Sequence, residues 1–438
     1  MSVVPAVTDA SEHQAALGLA PRDVRYNAVL LGADFALFLA GLAFASQSTI
    51  LPAFAEHLGA PNLVIGAIPA VMTLGWYLPS LFAAGHTESL ARKLPFVLRL
   101  TLWERVPFLV LALVAFFLAG PAPGVSLAVL LLMLLLTTGV GGVLMPAWMD
   151  IVGRAIPLTM RGRFFGLSNV VGSAGGLLGS VGTAYFLTQV APPASFGVCF
   201  LSAALCMGLS YLALALVREP LATSAPPPRE PIGAYLRRMP ALVRRDHNLR
   251  AFLGARALGS IGAMANVFYT VYALRTWGAP DWWVATFTTV LLAGQMAGNL
   301  AFGFLSDRAG HRLVLIAGAV AGVAGNLLAL GAPSIGVFAV VFALSGIQIA
   351  SISVSSMNVL LEFAPSAAER PTYVGLGSTL LAPVVFAAPL AAGILADVAG
   401  FPWVFAAAGV GGALSAGVLV ARVRDPRQHP GAKRDAEP

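Results

Sequence analysis

The sequence predicts an all-α polytopic membrane protein with twelve transmembrane helices in two pseudo-symmetric six-helix halves. Of the 438 residues, 58% are hydrophobic and only 10% are charged, whereas soluble domains carry about 25% charged residues. A bilayer core needs roughly 20 apolar residues for each helical crossing, and the chain has room for twelve. Short motifs also recur about half a chain apart, which predicts that a six-helix unit has been duplicated.

Twelve apolar runs set the expected order of the spans. They cover residues 28–53, 62–83, 95–119, 126–148, 164–190, 196–217, 251–274, 283–304, 313–331, 335–360, 372–395 and 401–421. The chain therefore divides into a cytoplasmic N-terminal segment, a first half, a cytoplasmic linker with an amphipathic helix, a second half and a cytoplasmic tail, at residues 1–27, 28–217, 218–250, 251–421 and 422–438.

Basic residues fall almost entirely on one side of this layout. Of the 26 Lys and Arg residues, 22 lie in the N-terminus, the even-numbered loops and the C-terminal tail, and one, Arg275, lies in the odd-numbered loops. Cytoplasmic segments of membrane proteins carry the basic excess. We therefore expect both termini in the cytoplasm, in a protein of the plasma (cytoplasmic) membrane. The net charge of +7 then reflects the basic residues of the cytoplasmic segments. The expected partner is therefore the lipid bilayer and not nucleic acid.

The internal repeats keep the same order in both halves. Gly-Ala-Pro at 59–61 returns at 278–280, and Gly-Ala-Asp at 32–34 returns as Gly-Ala-Arg at 254–256. Met-Asp at 149–150 is echoed by Met-Asn at 357–358, and the turn at 85–93 is a shorter relative of the turn at 303–312. Offsets near half the chain predict that residues such as Asp34 and Arg256 occupy equivalent positions.

The turn at 303–312 carries a family resemblance. It resembles the cytoplasmic signature Gly-x-x-x-Asp-Arg-x-Gly-Arg/Lys-Arg/Lys of the major facilitator superfamily, with His311 at one basic position and matches at Gly303, Asp307, Arg308, Gly310 and Arg312. The family usually keeps its best copy between spans two and three, where this chain retains only Gly85, Glu88, Arg92 and Lys93. The resemblance covers nearly the whole chain and implies the superfamily's fold and a transport function.

The two turns form a predicted cytoplasmic gate. Asp307 can accept hydrogen bonds from free amides at a helix N-terminus, where the helix dipole favours negative charge. The partner helix would be the eleventh span or, across the halves, the fifth, which we favour because Arg161 and Arg163 lie at its start. The gate residues are then Gly303, Asp307, Arg308, Gly310, Arg312, Arg161, Arg163, Gly85, Glu88 and Arg92. The alternative is a polar turn that only marks the cytoplasmic side.

Ionisable residues inside the spans are candidates for function because each is costly in hydrocarbon. For Asp34 three alternatives stay open: attraction to Arg256 across a central cavity, proton binding in a coupled transporter, or a side chain that reaches water at the cytoplasmic end. Glu104 and Arg105 are sequence neighbours, which do not face each other on a helix. A third span that extends into the cytoplasm, with Arg99 at the headgroups, is favoured over a functional relay.

Neutral polar residues complete the expected cavity. Together with the two charged residues, the candidates for a substrate or proton cavity are Asp34, Gln47, Arg256, Asn266, Tyr269, Gln295, Asn299 and Gln348. For each neutral residue the alternative is a hydrogen bond that joins two helices. As a set they suit an uncharged or mixed-polarity solute better than a multiply charged one.

Soluble-enzyme signatures are absent from the sequence: it has no phosphate-binding Gly-x-x-x-x-Gly-Lys loop, no His-Glu-x-x-His pair and no Gly-x-Ser-x-Gly elbow. We expect no enzyme, cofactor or metal, and a monomer. The favoured function is a secondary active transporter that moves a small solute by alternating access, with protons as the candidate coupling ion. The alternatives are a uniporter or an exporter of amphipathic compounds and, less favoured, a non-transporting scaffold or receptor.

Overall fold

The computed structural model describes residues 21–88, 90, 92–219, 240–364 and 370–424, which are helical with short connections and contain no strand. The helices are α1 Pro21–Phe44, α2 Ile50–His57, α3 Asn62–Glu88, α4 Leu94–Leu113 with a π-helical continuation Val114–Leu118, α5 Pro123–Ala155, α6 Leu158–Gln189, α7 Ala194–Ala215, α8 His247–Gly262, α9 Phe268–Trp277, α10 Trp282–Ala309, α11 His311–Gly331, α12 Ile335–Phe363, α13 Arg370–Ala399 and α14 Phe401–Ala421. The predicted linker helix falls largely outside the described residues.

Eleven helices of the described chain are long and apolar enough to cross a membrane, one fewer than the twelve predicted. The seventh predicted span, 251–274, is instead divided into α8 and α9, of 16 and 10 residues. Between them the amides of Met264 and Asn266 bond only three residues back. α8 ends at Gly262, and glycine is a poor helix former. Gly262 also packs closely on α14, because a Cβ added to it would lie 2.8 Å from the Cα of Gly412.

The first predicted span is divided in the same way. α1 ends at Phe44 and α2 begins at Ile50, and the break between α8 and α9 lies 218 residues later at both edges. The intervening residues include Ser46, Ser48 and Thr49, whose hydroxyl groups compete with helical backbone bonding. The equivalent breaks support the duplication that the repeated motifs predict.

Helix packing repeats between the halves. In the first half α1 packs on α6 and α7, α3 packs on α5, and α4 packs on α5 and α7. In the second half α8 packs on α13 and α14, α10 packs on α12, and α11 packs on α12 and α14. The halves meet through two equivalent pairs, α3 with α13 and α6 with α10. The pseudo-symmetric fold is therefore confirmed.

The halves touch at one end of the bundle and separate at the other. We call the end that carries residues 21 and 424 the terminal face and the opposite end the distal face. Near the distal face a Cβ on Gly393 of α13 would lie 2.6 Å from the carbonyl oxygen of Asn62 of α3. Toward the terminal face Gly166 of α6 and Leu300 of α10 instead line an open space between the halves, and a Cβ on Gly166 would have no neighbour within 4 Å.

Close helix packing makes the second half sensitive to one added methyl group. A Cβ on Gly346 of α12 would overlap the carbonyl oxygen of Leu291 and lie 2.6 Å from the amide nitrogen of Gln295. We expect Gly346→Ala to lower the free energy of unfolding by about 1–3 kcal/mol. Thermal unfolding of the purified protein in detergent measures this loss of stability. Gly336→Ala, on the same helix in open space, is the control and should change stability by less than about 0.5 kcal/mol; equal effects would contradict the prediction.

Candidate functional site

A central cavity of about 620 Å³ lies between the halves. It extends from the break in the first span, at Ser46–Ser48, past Asn169 of α6 toward the terminal halves of α10 and α12. Three of the predicted cavity residues line it, Gln47, Gln295 and Asn299. Its wall also contains leucines and small polar side chains, so the cavity offers mixed polarity without a charged group among its lining residues.

The remaining neutral candidates do not line the central cavity. The hydroxyl group of Tyr269 donates to Oδ1 of Asn326 at 2.9 Å, and the buried side chain of Gln348 packs against Gly322 of α11. These two contacts join helices within the second half. Tyr269 and Gln348 thus stabilise helix packing, which was the alternative to lining the cavity. Asn266 lies in the break between α8 and α9, and its Oδ1 atom is buried without a described hydrogen-bond partner.

The predicted gate residues of the second half divide into two groups. Asp307 and Arg308 are exposed at the end of α10. Arg312 faces inward instead, where its Nε donates to the carbonyl of Leu419 at 2.9 Å and its Nη2 to that of Val420 at 2.6 Å. Gly310 has a φ of 84°, a left-handed conformation that favours glycine and turns the chain from α10 into α11.

The predicted contact between Asp307 and the start of the fifth span stays a prediction. Asp307 has no hydrogen bond or ion pair with a described residue, and Arg163 and Arg92 are exposed at the same face. For the other first-half gate residues, Gly85, Glu88 and Arg161, the structure describes the helical backbone alone. Since the halves are apart at this face, a gate contact here belongs to another conformation.

A polar network joins the halves at the distal face, and we call it the distal latch: Glu56, Asn62, Arg275 and Asp397. Arg275 of the second half binds both carboxylate oxygens of Glu56 in the first half, at 2.8 and 2.6 Å, and donates to Asn62 at 3.1 Å. Asp397, at the end of α13, accepts from the backbone amides of Asn62 and Leu63, both at 3.1 Å. A carboxylate at these free amides is stabilised by the dipole of α3.

A second layer of contacts between the halves lies beneath the latch. Thr49 and Thr288 share a hydrogen bond of 2.7 Å, and Thr270 donates to the carbonyl of Ser48 at 2.9 Å. Ser180 of α6 and Thr289 of α10 are also 2.7 Å apart. The helix breaks matter here, because the interrupted first span leaves the Ser48 carbonyl available to the other half. The sequence offered no signal for these pairings.

Distal closure should depend on pH through Asp281, which precedes α10. Burial raises the pKa of its carboxyl group, and His57 of the first half opposes the shift. Opening the distal face would expose Asp281 and return its pKa to the ordinary range. The closed form therefore binds a proton at Asp281 more tightly than the open form does, so low pH stabilises closure. This stabilisation is lost as the pH rises through the raised pKa of the closed form. We expect the distance between spin labels at Val125 and Val398 to shorten on acidification, as the distal face closes. The Asp281→Asn variant should show little change of this distance with pH. The same pH dependence in the variant as in the wild-type protein would contradict the role of Asp281.

A buried charge cluster lies inside the first half, and it corrects two expectations. Asp34 pairs with Arg105 at 3.0 Å, whereas Arg256, the partner considered from sequence, has a buried Nε atom without a described hydrogen-bond partner. Glu104 and Arg105 are each only 7% exposed and are in contact at 3.2 Å, although sequence neighbours point apart on a helix. The long arginine side chain makes both contacts, since one guanidinium nitrogen turns back to Glu104 while another reaches α1.

The hydrogen bonds of the cluster with described residues all stay within the first half. Asp34 also accepts from the hydroxyl of Ser210 at 2.5 Å and from the indole of Trp148 at 3.0 Å. Glu104 accepts from Thr101 at 2.9 Å. Arg99, by contrast, is exposed near the terminal end of α4, as expected. A charge in the middle of an apolar run, as at Glu104 and Arg105, is the sequence signal for such a cluster.

The cluster borders a second cavity, which we call the side pocket, of about 250 Å³. It is lined by Asp34, Phe35, Phe38, Leu39, Leu42, Trp76, Val97, Thr101, Glu104, Arg105, Gly141, Leu144, Met145, Trp148 and Leu214. Leu39, Leu42 and Trp76 also line the central cavity. The side pocket therefore adjoins the central cavity and lies within the wall of the first half.

Comparison with known proteins identifies the family and the fold. A family model described as Major Facilitator Superfamily matches residues 33–288 and 263–438. Among solved structures, a mutant of the nucleoside transporter NupG superposes with a TM-score of 0.69 at 14% identity and covers 91% of this chain and 100% of its own. The xylose transporter XylE from E. coli, partially occluded and inward-open, gives 0.65 at 13% identity, with coverage of 91% and 98%.

One curated relative is similar over a shorter stretch. Solute carrier family 22 member 6 from Mus musculus is 33% identical over 107 residues, which are 23% of this chain. The aligned part spans only 20% of that relative's length.

Proposed function

Because the chain belongs to the major facilitator superfamily and is an integral membrane transporter, we propose that it is a secondary active transporter that moves a small solute by alternating access. One observation carries the proposal. A cavity between two symmetry-related halves is closed toward the distal face by contacts between the halves and extends toward a terminal face where they separate. Rocking of the halves about a central site would alternate its access.

We assign the terminal face to the cytoplasm and the protein to the cytoplasmic membrane. The basic residues of the sequence fall on this side, as the positive-inside rule requires. The structure then represents an inward-open conformation, with residues 28–217 and 251–421 as the two moving halves. Residues 218–250 would act as the tether between them, and the distal latch would be the gate that opens to the outside.

The solute is inferred from the cavity wall. A volume of about 620 Å³ falls in the range of small-molecule sites, and the amide side chains of Gln47, Gln295 and Asn299 can donate and accept hydrogen bonds. Asn299 Oδ1 has no described hydrogen-bond partner. This lining suits an uncharged or mixed-polarity solute with several hydroxyl or amide groups. The solved relatives are named for nucleoside and xylose transport, which are solutes of this kind.

Coupling to protons is proposed through the buried cluster of Asp34, Glu104 and Arg105. Its two carboxylates line the side pocket, and ionisable groups within a membrane commonly serve proton relays. The second candidate is a uniporter or an exporter of amphipathic compounds. The apolar wall of the side pocket favours it, because that wall offers little to a sugar-like solute.

The proposal is tested by uptake into proteoliposomes across a panel of nucleosides, sugars and amphipathic amines, with and without a pH gradient. We expect one class to be taken up, and a proton-coupled transporter should accumulate it only with the gradient. Asp34→Asn should then abolish accumulation while leaving exchange of labelled for unlabelled solute. Gradient-driven uptake that survives Asp34→Asn would contradict coupling through this carboxylate, and no uptake of any panel member would contradict transport of these solute classes.

The cytoplasmic gate gives a separate prediction. If Asp307 docks on the start of the fifth span when the terminal face closes, Asp307→Asn removes a charge-assisted contact present only in the outward-open form. We expect the outward-open population and the transport rate to fall by about fivefold, equivalent to roughly 1 kcal/mol. The distance between spin labels at the exposed Leu167 and at Ala301 measures the population, and Asp23→Asn at the same face is the control. An unchanged population and rate would contradict the gate assignment.

A further inference from the structure

The side pocket has an apolar wall and a charged floor. Phe38, Trp76 and Trp148 supply aromatic surface, and the floor is made by Asp34, Glu104 and Arg105. Glu104 lies five residues along α4 from the exposed Arg99, which is about 7.5 Å along the helix axis. With Arg99 at the headgroups, this depth lies inside the terminal half of a hydrocarbon core of about 30 Å, where an unbalanced charge is costly.

The floor contains one more acid than base. Two carboxylates face a single guanidinium group, and these side chains are 3%, 7% and 7% exposed. Arg105 can balance one negative charge, and a second, unbalanced charge in a low-dielectric site is strongly disfavoured. The cluster is therefore complete only with one additional positive charge.

Hydrogen bonding indicates which of the two carboxylates binds the additional positive charge. Asp34 accepts from Arg105, Ser210 and Trp148 through its two oxygens, which favours its ionised form. In Glu104 both described bonds, from Thr101 and Arg105, reach Oε2, and Oε1 accepts none from a described residue. A Cβ on Gly141 would lie 2.8 Å from Oε1, and both residues line the pocket. Glu104 thus presents a free oxygen to the pocket.

We propose that the side pocket binds an organic monocation with an apolar body at the carboxylate of Glu104, in exchange for a proton held there. Without the ligand, the carboxyl group of Glu104 carries one proton. When an ammonium ion enters, the proton leaves to solvent, and the carboxylate and the ammonium form an ion pair, so the charge of the floor stays balanced. Aromatic faces such as those of Phe38 and Trp76 stabilise a nearby cation.

Other charged groups near α4 leave Glu104 as the exchanging site. From α1 the facing charge is Asp34, and from α4 itself it is Arg105. From α7 the described partner is the neutral Ser210. From α5 the charged residue is Asp150, which is already paired with Lys93 and Arg154 at 2.6 Å each, toward the terminal face. The pocket therefore has one uncompensated acid, and its exchange with solvent protons is expected to involve one proton.

The exchange deepens the second candidate function, the exporter of amphipathic compounds, and its role in a transport cycle rests on that function. Binding itself is measured without transport. Titration calorimetry of the full chain in detergent, in two buffers of different ionisation enthalpy, counts protons released when 2-phenylethylammonium binds. We expect about one proton per ligand. The uncharged 2-phenylethanol and the anion 3-phenylpropionate should release none and bind at least tenfold more weakly. In the wild-type protein, affinity should fall about tenfold for each pH unit on the acidic side.

Variants separate the exchange from nonspecific binding to the micelle. Glu104→Gln should abolish proton release and weaken ammonium binding at least tenfold. Asp34→Asn should do the same, because the positive charge of Arg105 then balances the single negative charge of Glu104, which has no proton to release. Asp23→Asn, which alters an ion pair at the terminal face, should leave release unchanged. No proton release by the wild-type protein, or equal release by Glu104→Gln, would overturn the proposal. The pH dependence of the wild-type protein decides the question if either variant fails to fold.

Failure of this exchange and failure of transport are distinguishable. If 2-phenylethylammonium binds without releasing a proton, the assignment of Glu104 is wrong, while solute uptake into proteoliposomes can still establish the transporter. If no panel solute is taken up but one proton leaves per ammonium bound, the side pocket is a monocation site and the transport proposal is the part that fails.

Discussion

Arg275→Glu is expected to open the distal face. The substitution removes the paired hydrogen bonds to Glu56, at 2.8 and 2.6 Å, and places a third carboxylate beside Glu56 and Asp397. Because the side chains of Arg275 and Glu56 are 37% and 22% exposed, solvent screens part of the effect. We expect a shift of about 1–2 kcal/mol, which is roughly five- to thirtyfold in the ratio of distal-open to distal-closed molecules. Because Thr288 also lines the central cavity, a cysteine introduced there is labelled with a membrane-impermeant reagent added only on the distal side of oriented proteoliposomes, and this labelling should become faster by the same factor.

A charge swap supplies the control for this prediction. Arg275→Glu combined with Glu56→Arg restores an ion pair between the halves in the reverse direction, and labelling at Thr288 should return most of the way to the wild-type rate. If the swap labels as fast as the single variant, the effect of Arg275→Glu would come from damage to α9 and not from loss of the latch. Unchanged labelling in the single variant would show that the latch does not hold the halves together.

Arg105→Leu is expected to have the largest effect on stability. It leaves the buried carboxylate of Asp34 without its cation, beside the protonated carboxyl group of Glu104. Removal of one partner of a buried ion pair typically costs 3–5 kcal/mol, so we expect a loss of about that size in the free energy of unfolding. The loss should be smaller at acidic pH, because protonation of Asp34 removes the uncompensated charge. Denaturant or thermal unfolding in detergent, at neutral and acidic pH, measures both effects.

Two further variants locate the effect of Arg105. Arg99→Leu changes the same type of residue on the same helix at an exposed position, and it should alter stability by less than about 0.5 kcal/mol. Arg105→Lys keeps the charge but cannot bridge both carboxylates in a planar geometry, so an intermediate loss is expected. If Arg105→Leu and Arg99→Leu were equally mild, the buried cluster would not contribute to the stability of the first half.

Much of the fold could be predicted because the membrane imposes simple rules. Apolar length set the spans, and repeated motifs such as those at Gly59 and Gly278 indicated the duplication. The breaks at Ala45–Thr49 and Ala263–Val267 were missed because a helical break changes hydrogen bonding without changing the hydropathy of a run. Both breaks also depend on contacts with other helices, which a single sequence does not display.

The site was less accessible to sequence reasoning. Gln47, Gln295 and Asn299 line the central cavity, but Tyr269 and Gln348 have equally polar side chains and bind within the second half. The difference lies in which face of a helix points inward, and a span that is apolar on all sides does not reveal its orientation. Pairing of Asp34 with Arg105 was missed because α1 and α4 are far apart in sequence, and duplication drew attention to Arg256 instead.

Alternating access requires that the two faces change together, and two distances measure it. With Cys199 and Cys206 replaced by alanine, spin labels at Val125 and Val398 report the distal face, and labels at Leu167 and Ala301 report the terminal face. In the Arg275→Glu variant we predict a longer distal distance and a shorter terminal distance, with the same fractional change in population. A longer distal distance with an unchanged terminal distance would mean that the halves do not rock as units, and it would contradict the proposed mechanism.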